Sequence, residues 1–261
     1  MIEYLIKLPV LKRLIPSIFR RYYKIMGTSR KYYKIGNINF YLDFLDPMDR
    51  LLILNKNYEY DQVIYFEQTL RKFPFSYFID IGANSGYYSF YLADKFKNLK
   101  IKSFEINNDA YSKFTKTLEK NSFKNIELFR FGLSNINKQS KIKSMVKDGF
   151  THSNATVIDS QDTIDPKKFK IREAQLKVGD GILNFENEYL SIKIDVEGHE
   201  IFTLKGLIKN LSNNYCLLLI EIFDDNFNEV NNFLKKINYN LIFKSVNRPD
   251  YIFSNINFTK N

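Results

Sequence analysis

From Phe75 to the end of the chain, short apolar runs alternate with segments whose apolar residues recur every three or four positions. Short apolar runs predict buried strands, and the 3.6-residue period predicts amphipathic helices. The strands fall at Ser76–Ile81, Lys100–Ile106, Ile126–Phe131, Leu190–Asp195 and Cys216–Phe223. Between them the period predicts helices at Gly86–Phe96, Asp109–Asn121, Glu200–Lys209 and Asn226–Ile237. Two closely spaced strands, Tyr239–Lys244 and Asp250–Ser254, read as a closing hairpin, so one of them should run antiparallel. Alternation of this kind builds an α/β domain around a doubly wound, mostly parallel sheet. Residues 134–189 are less regular, with extra strands expected near Lys141–Val146 and Ala174–Val178. Ahead of Phe75, Tyr32–Asp43 alternates around Gly36-Asn37 like a hairpin, Pro47 opens a helical stretch, and Tyr58–Lys72 continues in helix. The chain therefore divides into an N-terminal basic helical appendage with a short hairpin, residues 1–74, and an α/β domain, residues 75–261.

Composition sharpens this picture. With 261 residues, 44% of them apolar, the chain can bury a full core. The lone Cys216 excludes a disulfide framework, and no Cys/His spacing suits structural zinc. It sits within Tyr-Cys-Leu-Leu-Leu-Ile, a core environment, and such usage fits a reducing, cytoplasmic setting. The formal charge of +10 is concentrated: residues 1–35 hold nine basic side chains against one acid, Glu3. The apolar stretches of this arm are cut by Lys7, Pro9, Lys12, Arg13 and Pro16, which argues against a secretion signal, and no apolar window is long enough to span a bilayer. Three uses of the arm stay open. It can dock on the body with its charges solvated, lie on an anionic membrane surface at the inner face, or cover a phosphate-rich substrate or nucleic acid.

The chemistry gathers at strand ends. Leu190–Asp195 runs directly into Asp195, Glu197, His199 and Glu200, and His199 is one of only two histidines. Open α/β sheets bind ligands at the carboxyl ends of their strands. An acid ending an apolar strand therefore faces the ligand crevice, which points to Asp195. His199 is a natural base near neutral pH, or a ring that merely satisfies a backbone carbonyl. Glu197 and Glu200 suit a helix N-terminus, where negative charge gains roughly 0.3–1 kcal/mol; that simpler explanation is strongest for Glu200. Glu221 ends the neighbouring strand and can complete the carboxylate cluster. Asp195, Glu221 and Glu197 offer hard oxygen ligands, yet no spacing demands a metal and the chain is read without one.

Residues 78–88, Phe-Ile-Asp-Ile-Gly-Ala-Asn-Ser-Gly-Tyr-Tyr, place a glycine turn between a strand and a helix. Gly82 permits a tight turn and Gly86 a close ligand approach. The third glycine of the dinucleotide fingerprint is missing, and Asp80 suits a positively charged ligand better than pyrophosphate. Glu105, 19 residues after Gly86, stands where an acid accepts from both ribose hydroxyls. Together they describe a pocket for an adenosine with a non-phosphate tail. The Gly132-Leu133 turn can frame the adenine or be a plain turn, and Tyr87 is mainly a packing residue within reach of the ligand.

Residues 78–93 resemble motif I of the S-adenosylmethionine-dependent methyltransferases, and Phe104-Glu105 resembles the acid after their second strand. Within that class Leu190–Gly206, LSIKIDVEGHEIFTLKG, is similar to the signature of the FkbM family, as Leu219–Ile222 is to its final core strand. The resemblance covers roughly residues 75–243 and excludes the arm. His152-Ser153-Asn154 falls where the family tends to carry a small polar loop. The resemblance implies a Rossmann-like class I fold with a seven-stranded, mostly parallel sheet and a C-terminal antiparallel hairpin. It also implies transfer of a methyl group from S-adenosylmethionine to an oxygen of a sugar or glycan precursor, and the basic arm suits a lipid- or nucleotide-linked acceptor. Asp80, Gly82, Asn84, Gly86, Glu105 and Gly132 would then hold the cofactor, and Asp195, Glu197, His199 and Glu221 would be catalytic, His199 as base, Asp195 or Glu197 orienting it or taking the proton directly, and Glu221 bonding the acceptor or completing the carboxylate cluster. Methylation of RNA or DNA is the rival; the concentration of charge in the arm and the lack of an Asn-Pro-Pro-Tyr-like tetrapeptide disfavour it. A non-catalytic binding protein would show an eroded turn or acid cluster, and both are intact.

Overall fold

The computed structural model describes residues 11–54, 59–147, 150–158, 164–246 and 248–257. Glu3, Lys7 and Pro9 of the basic arm, and Tyr58 of the second predicted helix, lie outside the described residues. The chain begins with helix α1 (Leu11–Met26), hairpin β1 (Arg30–Ile35) and β2 (Ile38–Asp43), and helices α2 (Pro47–Leu54) and α3 (Tyr60–Leu70). Alternation follows in β3 (Tyr77–Ile81), α4 (Tyr87–Lys95), β4 (Lys100–Phe104), α5 (Asn108–Lys120) and β5 (Ile126–Phe129). Then come β6 (Gly132–Ser134), β7 (Lys138–Lys147), β8 (Phe150–Thr151), β9 (Thr156–Val157) and β10 (Phe169–Val178). The chain closes with β11 (Tyr189–Ile194), α6 (Glu200–Gly206), α7 (Ile208–Asn213), β12 (Tyr215–Glu221), α8 (Asp224–Lys236), β13 (Asn240–Lys244) and β14 (Asp250–Ser254).

The main sheet has the order β13-β14-β12-β11-β3-β4-β5 and is mixed. The ladders joining β12, β11, β3, β4 and β5 are parallel, whereas β14 runs antiparallel to both β12 and β13. The central strands β3, β11, β12 and β14 bury both faces, because successive side chains point to opposite sides. Ile79, Ile81, Ile192, Ile194, Leu218 and Ile220 pack on one side with Leu204, Val230 and Leu234. Phe78, Ile101, Leu217 and Leu219 pack on the other with Phe40, Phe66, Phe90 and Phe114. Residues of β2 and α3 thus share the second core with the sheet.

Four predicted elements differ from those observed. The third strand ends at Phe129, and Gly132–Ser134 joins a second sheet of order β6-β10-β7-β8, with β9 also on β7. There β7 and β10 each run ten residues, longer than expected, because each supplies the other's hydrogen bonds along an antiparallel register from Phe169↔Met145 to Leu176↔Lys138. The helix expected at Glu200–Lys209 is two short ones, broken at Leu207. Gly206 passes so close to β6 that a Cβ there would lie 1.9 Å from the Ser134 carbonyl oxygen, and the chain turns at that contact.

Helix α1 docks through few residues: Tyr23 packs with Phe44 and Leu45, supported by Phe19. Leu14, Ile18, Tyr22, Ile25 and Met26 stay exposed. Among the described residues no helix is long and apolar enough to cross a membrane. Behind this helix a buried charge cluster ties three segments together. Lys113 of α5 is fully buried, with its Nζ 2.6 Å from Asp49 and 3.3 Å from Asp46. Asp46 also accepts from the Ser153 N–H at 2.9 Å, fixing the 150–158 loop. Removing one partner of a buried ion pair leaves uncompensated charge and typically costs about 3–5 kcal/mol. Lys113→Met should therefore lower the unfolding free energy by about that amount in urea titrations. A loss below about 1 kcal/mol would show that the cluster does not hold these segments.

Candidate active site

Register places the functional side chains before any packing argument is needed. Asp80 pairs with Ser103 and Lys193, and Lys193 pairs with Leu219. Two residues further along, on the same face, come Glu105, Gly82, Asp195 and Glu221, and Glu221 pairs with Asp250. The carboxyl edge of the parallel strands thus carries a row of acids spread over four strands. A cavity of about 480 Å³ opens on this row.

On one side lies the glycine turn. Gly82 and Ala83 donate to the Phe104 carbonyl at 2.9 and 3.0 Å, closing the turn. A Cβ on Gly82 would lie 1.8 Å from the Asp195 backbone oxygen, so glycine is required by this close approach as well as by its positive φ. Gly86 plays another part from the one expected. It does not line the cavity, and a Cβ there would meet Phe114 and Phe90 at 2.6–2.7 Å, so its bareness serves packing rather than ligand approach. Asn84 is left-handed at φ 50. Its Oδ1 and the Oδ1 of Asp80 are buried without a hydrogen-bond partner among the described residues. Asp80 Oδ2 accepts from Ser89 at 2.5 Å, and burial raises its pKa. Glu105 accepts from the backbone N–H groups of Asn84 and Asn107 at 2.7 and 2.6 Å. Burial pushes its carboxyl up to about 7, against the pull of those two donors. Gly132 and Leu133 complete this side of the lining.

On the other side stand the acids of β11 and β12. Lys193 Nζ lies 2.7 Å from Asp195 and 5.0 Å from the centre of the Tyr88 ring. Burial opposes ionisation of Asp195, but the Lys193 ammonium and a hydrogen bond with Glu221 hold its carboxyl below the ordinary range. Glu221 moves the opposite way: burial, and then the Asp195 charge, push it up to about 9. Burial and mutual repulsion therefore favour the protonated acid at Glu221, while the Lys193 ammonium favours the charge on Asp195. Arg248 reaches Glu59 and Asp250 at 2.9 Å and Glu221 at 3.7 Å. Glu197 is left-handed at φ 52, an uncommon conformation for a residue with a side chain. It accepts from Asn154, which also accepts from Asn84 at 3.3 Å, so Asn154 bridges the two turns. Burial and the neighbouring Asp195 raise the Glu197 pKa.

His199 lines the cavity, but its recorded contacts lie towards the Gly132 side. Its Nε2 is 3.0 Å from Ser134 Oγ, and its ring stacks on Phe202 at 4.9 Å. Glu200 accepts from the Gly198 N–H at 2.8 Å, the helix-start role expected of it. Asp80, Gly82, Asn84, Glu105, Gly132, Asp195, Glu197, His199 and Glu221 all line one cavity. Sequence reasoning marked Asn154 only as part of a polar loop, and passed over Lys193, Glu59 and Arg248. Lys193 left a signal, as the one charged residue inside the apolar run 189–194. Glu59 and Arg248 left none, since their pairing exists only after folding.

Strand order, glycine turn and edge acids together define a class I methyltransferase fold with its ligand cavity at the carboxyl edge. Residues 80–241 match the methyltransferase FkbM domain, and the chain belongs to that family and is a methyltransferase. No curated protein sequence matches it. Among solved structures it is similar to the methyltransferase FkbM of Methylobacillus flagellatus KT, at 16% identity over 69% of this chain and 43% of that one, with a TM-score of 0.49. It also resembles precorrin-6y C5,15-methyltransferase of Geobacter metallireducens GS-15, at 15% identity over 74% and 86%, TM-score 0.44. An rRNA methylase of Streptococcus thermophilus gives 14% identity over 74% and 92%, TM-score 0.42. The family assignment rests on the domain match alone.

Two outcomes test this geometry. Gly82→Ala should lower stability by at least about 1–3 kcal/mol, the usual cost of overpacking, measured as a fall in melting temperature. The raised Glu221 pKa means that the folded state prefers the protonated acid; its contribution is full below the unfolded value and is lost as pH rises towards about 9. Glu221→Gln, which mimics the protonated form, should flatten that alkaline decline by more than about 1 kcal/mol between pH 6 and 9. Parallel stability curves for both proteins would refute the raised Glu221 pKa.

Proposed function

We propose that the protein transfers a methyl group from S-adenosylmethionine to a hydroxyl of a sugar or glycan precursor. The observation that carries this reading is the Lys193–Asp195–Glu221 arrangement on the cavity wall beside the glycine turn. The residues of the turn fit the cofactor. Orphaned acceptors on Asp80 and Asn84 suit the donors of an amino-acid ammonium, and Glu105 is placed to accept from ribose hydroxyls. Gly132, Leu133 and His199 offer an adenine wall, which moves His199 from the base expected of it to the cofactor side. When bound, S-adenosylmethionine supplies a sulfonium methyl, an electrophile that needs no metal or redox partner.

The remaining work falls to the chain. An acceptor hydroxyl becomes strongly acidic as its oxygen bonds to carbon, so a carboxylate is base enough. Asp195 would take that proton as the hydroxyl oxygen accepts the methyl group supplied by the bound sulfonium. Lys193 keeps Asp195 ionised and oriented, and protonated Glu221 is a donor towards it. Burial and then the Glu59 charge push the Tyr87 phenol up to about 12, so it stays a hydrogen-bond donor at the cavity wall. Glu59 and Arg248 add polar partners, and Phe223 an apolar face, a combination that suits the hydroxyls and C–H faces of a saccharide.

General-base assistance is worth roughly 10²–10⁴ in rate. Asp195→Asn should lower kcat by about that factor in labelled methyl transfer to fractionated glycans, with the S-adenosylmethionine Kd within threefold of the parent. His199→Ala should instead weaken cofactor binding and leave kcat at saturation nearly unchanged. Label appearing in RNA and not in saccharide would overturn the acceptor class. No calorimetric binding of S-adenosylmethionine would overturn the reading as a whole.

A further inference from the structure

A second cavity, of about 580 Å³, adjoins the first, and its chemistry is of opposite sign. Arg20, Arg21 and Lys24 of α1 line it with Arg50 of α2 and His152 of the 150–158 loop, and no carboxylate does. The two cavities share walls. Pro47 lines one and Met48 the other; His152 lines one, and Ser153 and Asn154 the other.

Arg50 is set in place by its own backbone surroundings. Its Nη1 donates to the carbonyls of Phe44 and Leu45 at 3.1 and 3.2 Å, and among the described residues nothing engages its Nε or Nη2. Arg20 faces it closely enough that, after burial, its charge is the main influence lowering the Arg50 pKa. Among the described residues no acid forms an ion pair with Arg20, Arg21 or Arg50. Asp46 offsets the repulsion at Arg50 only in part, and like charges held together cost free energy, which a bound anion would recover. The planar fork of arginine matches phosphate oxygens two at a time.

We propose that this cavity binds a phosphate or diphosphate group carried by the methyl acceptor, seating the attached sugar in the adjoining cavity. The assignment deepens the function proposed above and rests on it. Soluble nucleotide-linked and lipid-linked sugars present the same group, so the chemistry named is the sugar phosphate itself. The exposed apolar stripe of α1 lies on the helix that supplies Arg20, Arg21 and Lys24.

The test is calorimetry of the full chain with inorganic pyrophosphate. Binding is expected for the parent, and at least tenfold weaker binding for Arg20→Gln/Arg21→Gln. S-adenosylmethionine affinity should be unchanged in that variant. Arg50→Gln gives a second reading independent of how α1 docks. Equal pyrophosphate affinity in the parent and both variants would overturn the proposal, whereas loss of S-adenosylmethionine binding in the parent would sink the underlying function instead. A soluble nucleoside diphosphate that competes with pyrophosphate supports the nucleotide source. Co-sedimentation with phosphatidic-acid vesicles that pyrophosphate displaces supports the lipid source. Sedimentation that pyrophosphate fails to displace would mean a membrane-facing surface rather than a phosphate cavity, and would also overturn it.

Discussion

Six carboxylates, from Glu59, Asp80, Glu105, Asp195, Glu197 and Glu221, line the main cavity, and only Lys193 and Arg248 oppose them. Charges taken out of water cost several kcal/mol each unless they are paired. Burial first, and then the neighbouring charges, shift the ionisation of Asp80, Glu105, Asp195, Glu197 and Glu221. Lys193 stands closest to Asp195 and claims it as its counter-ion, so Asp195 stays charged. Glu221, next to that fixed charge, keeps its proton. Acids of one chemical type, a few ångströms apart, are thereby given different roles by a single buried ammonium.

The same edge explains why two turns must come so close. Parallel strands β3 and β11 end side by side, and the chain leaves each through a left-handed turn, at Asn84 and at Glu197. Only glycine at position 82 lets the Asp195 carbonyl approach, and Asn154 then closes the gap by hydrogen bonding to both turns. Asn154 is brought there by a loop anchored at the next residue, where Ser153 donates to Asp46 and Asp46 meets Lys113. The buried cluster under α2 thus acts on the site through the loop that carries Asn154. It also fixes α2, whose residues 47 and 48 form the wall between the acidic and the basic cavities.

Much of this was legible in the chain itself. Periodicity located the five parallel strands, because burial on both faces leaves continuous apolar runs, and acids at their carboxyl ends marked the edge that binds ligand. Asp195, Glu221, Gly82 and Glu105 follow from strand position alone. Where two local signals compete, the pattern gave less. Gly86 reads as a ligand glycine until Phe90 and Phe114 are seen against it, and the helix after Glu200 reads as continuous until Gly206 meets β6.

What the sequence could not contain is any relation between distant residues. Nothing in the chain pairs Glu59 with Arg248, Asn154 with Glu197, or Lys113 with Asp46. These contacts depend on loop closures of up to 189 positions, and their energies exist only once burial has removed water from both partners. Local patterning by itself determined the sheet, its edge and the acids on it, since a strand's period needs no partner. Which acid is charged, which keeps its proton, and where His199 is tethered were decided by tertiary structure alone, because pKa and hydrogen bonding answer to neighbours in space.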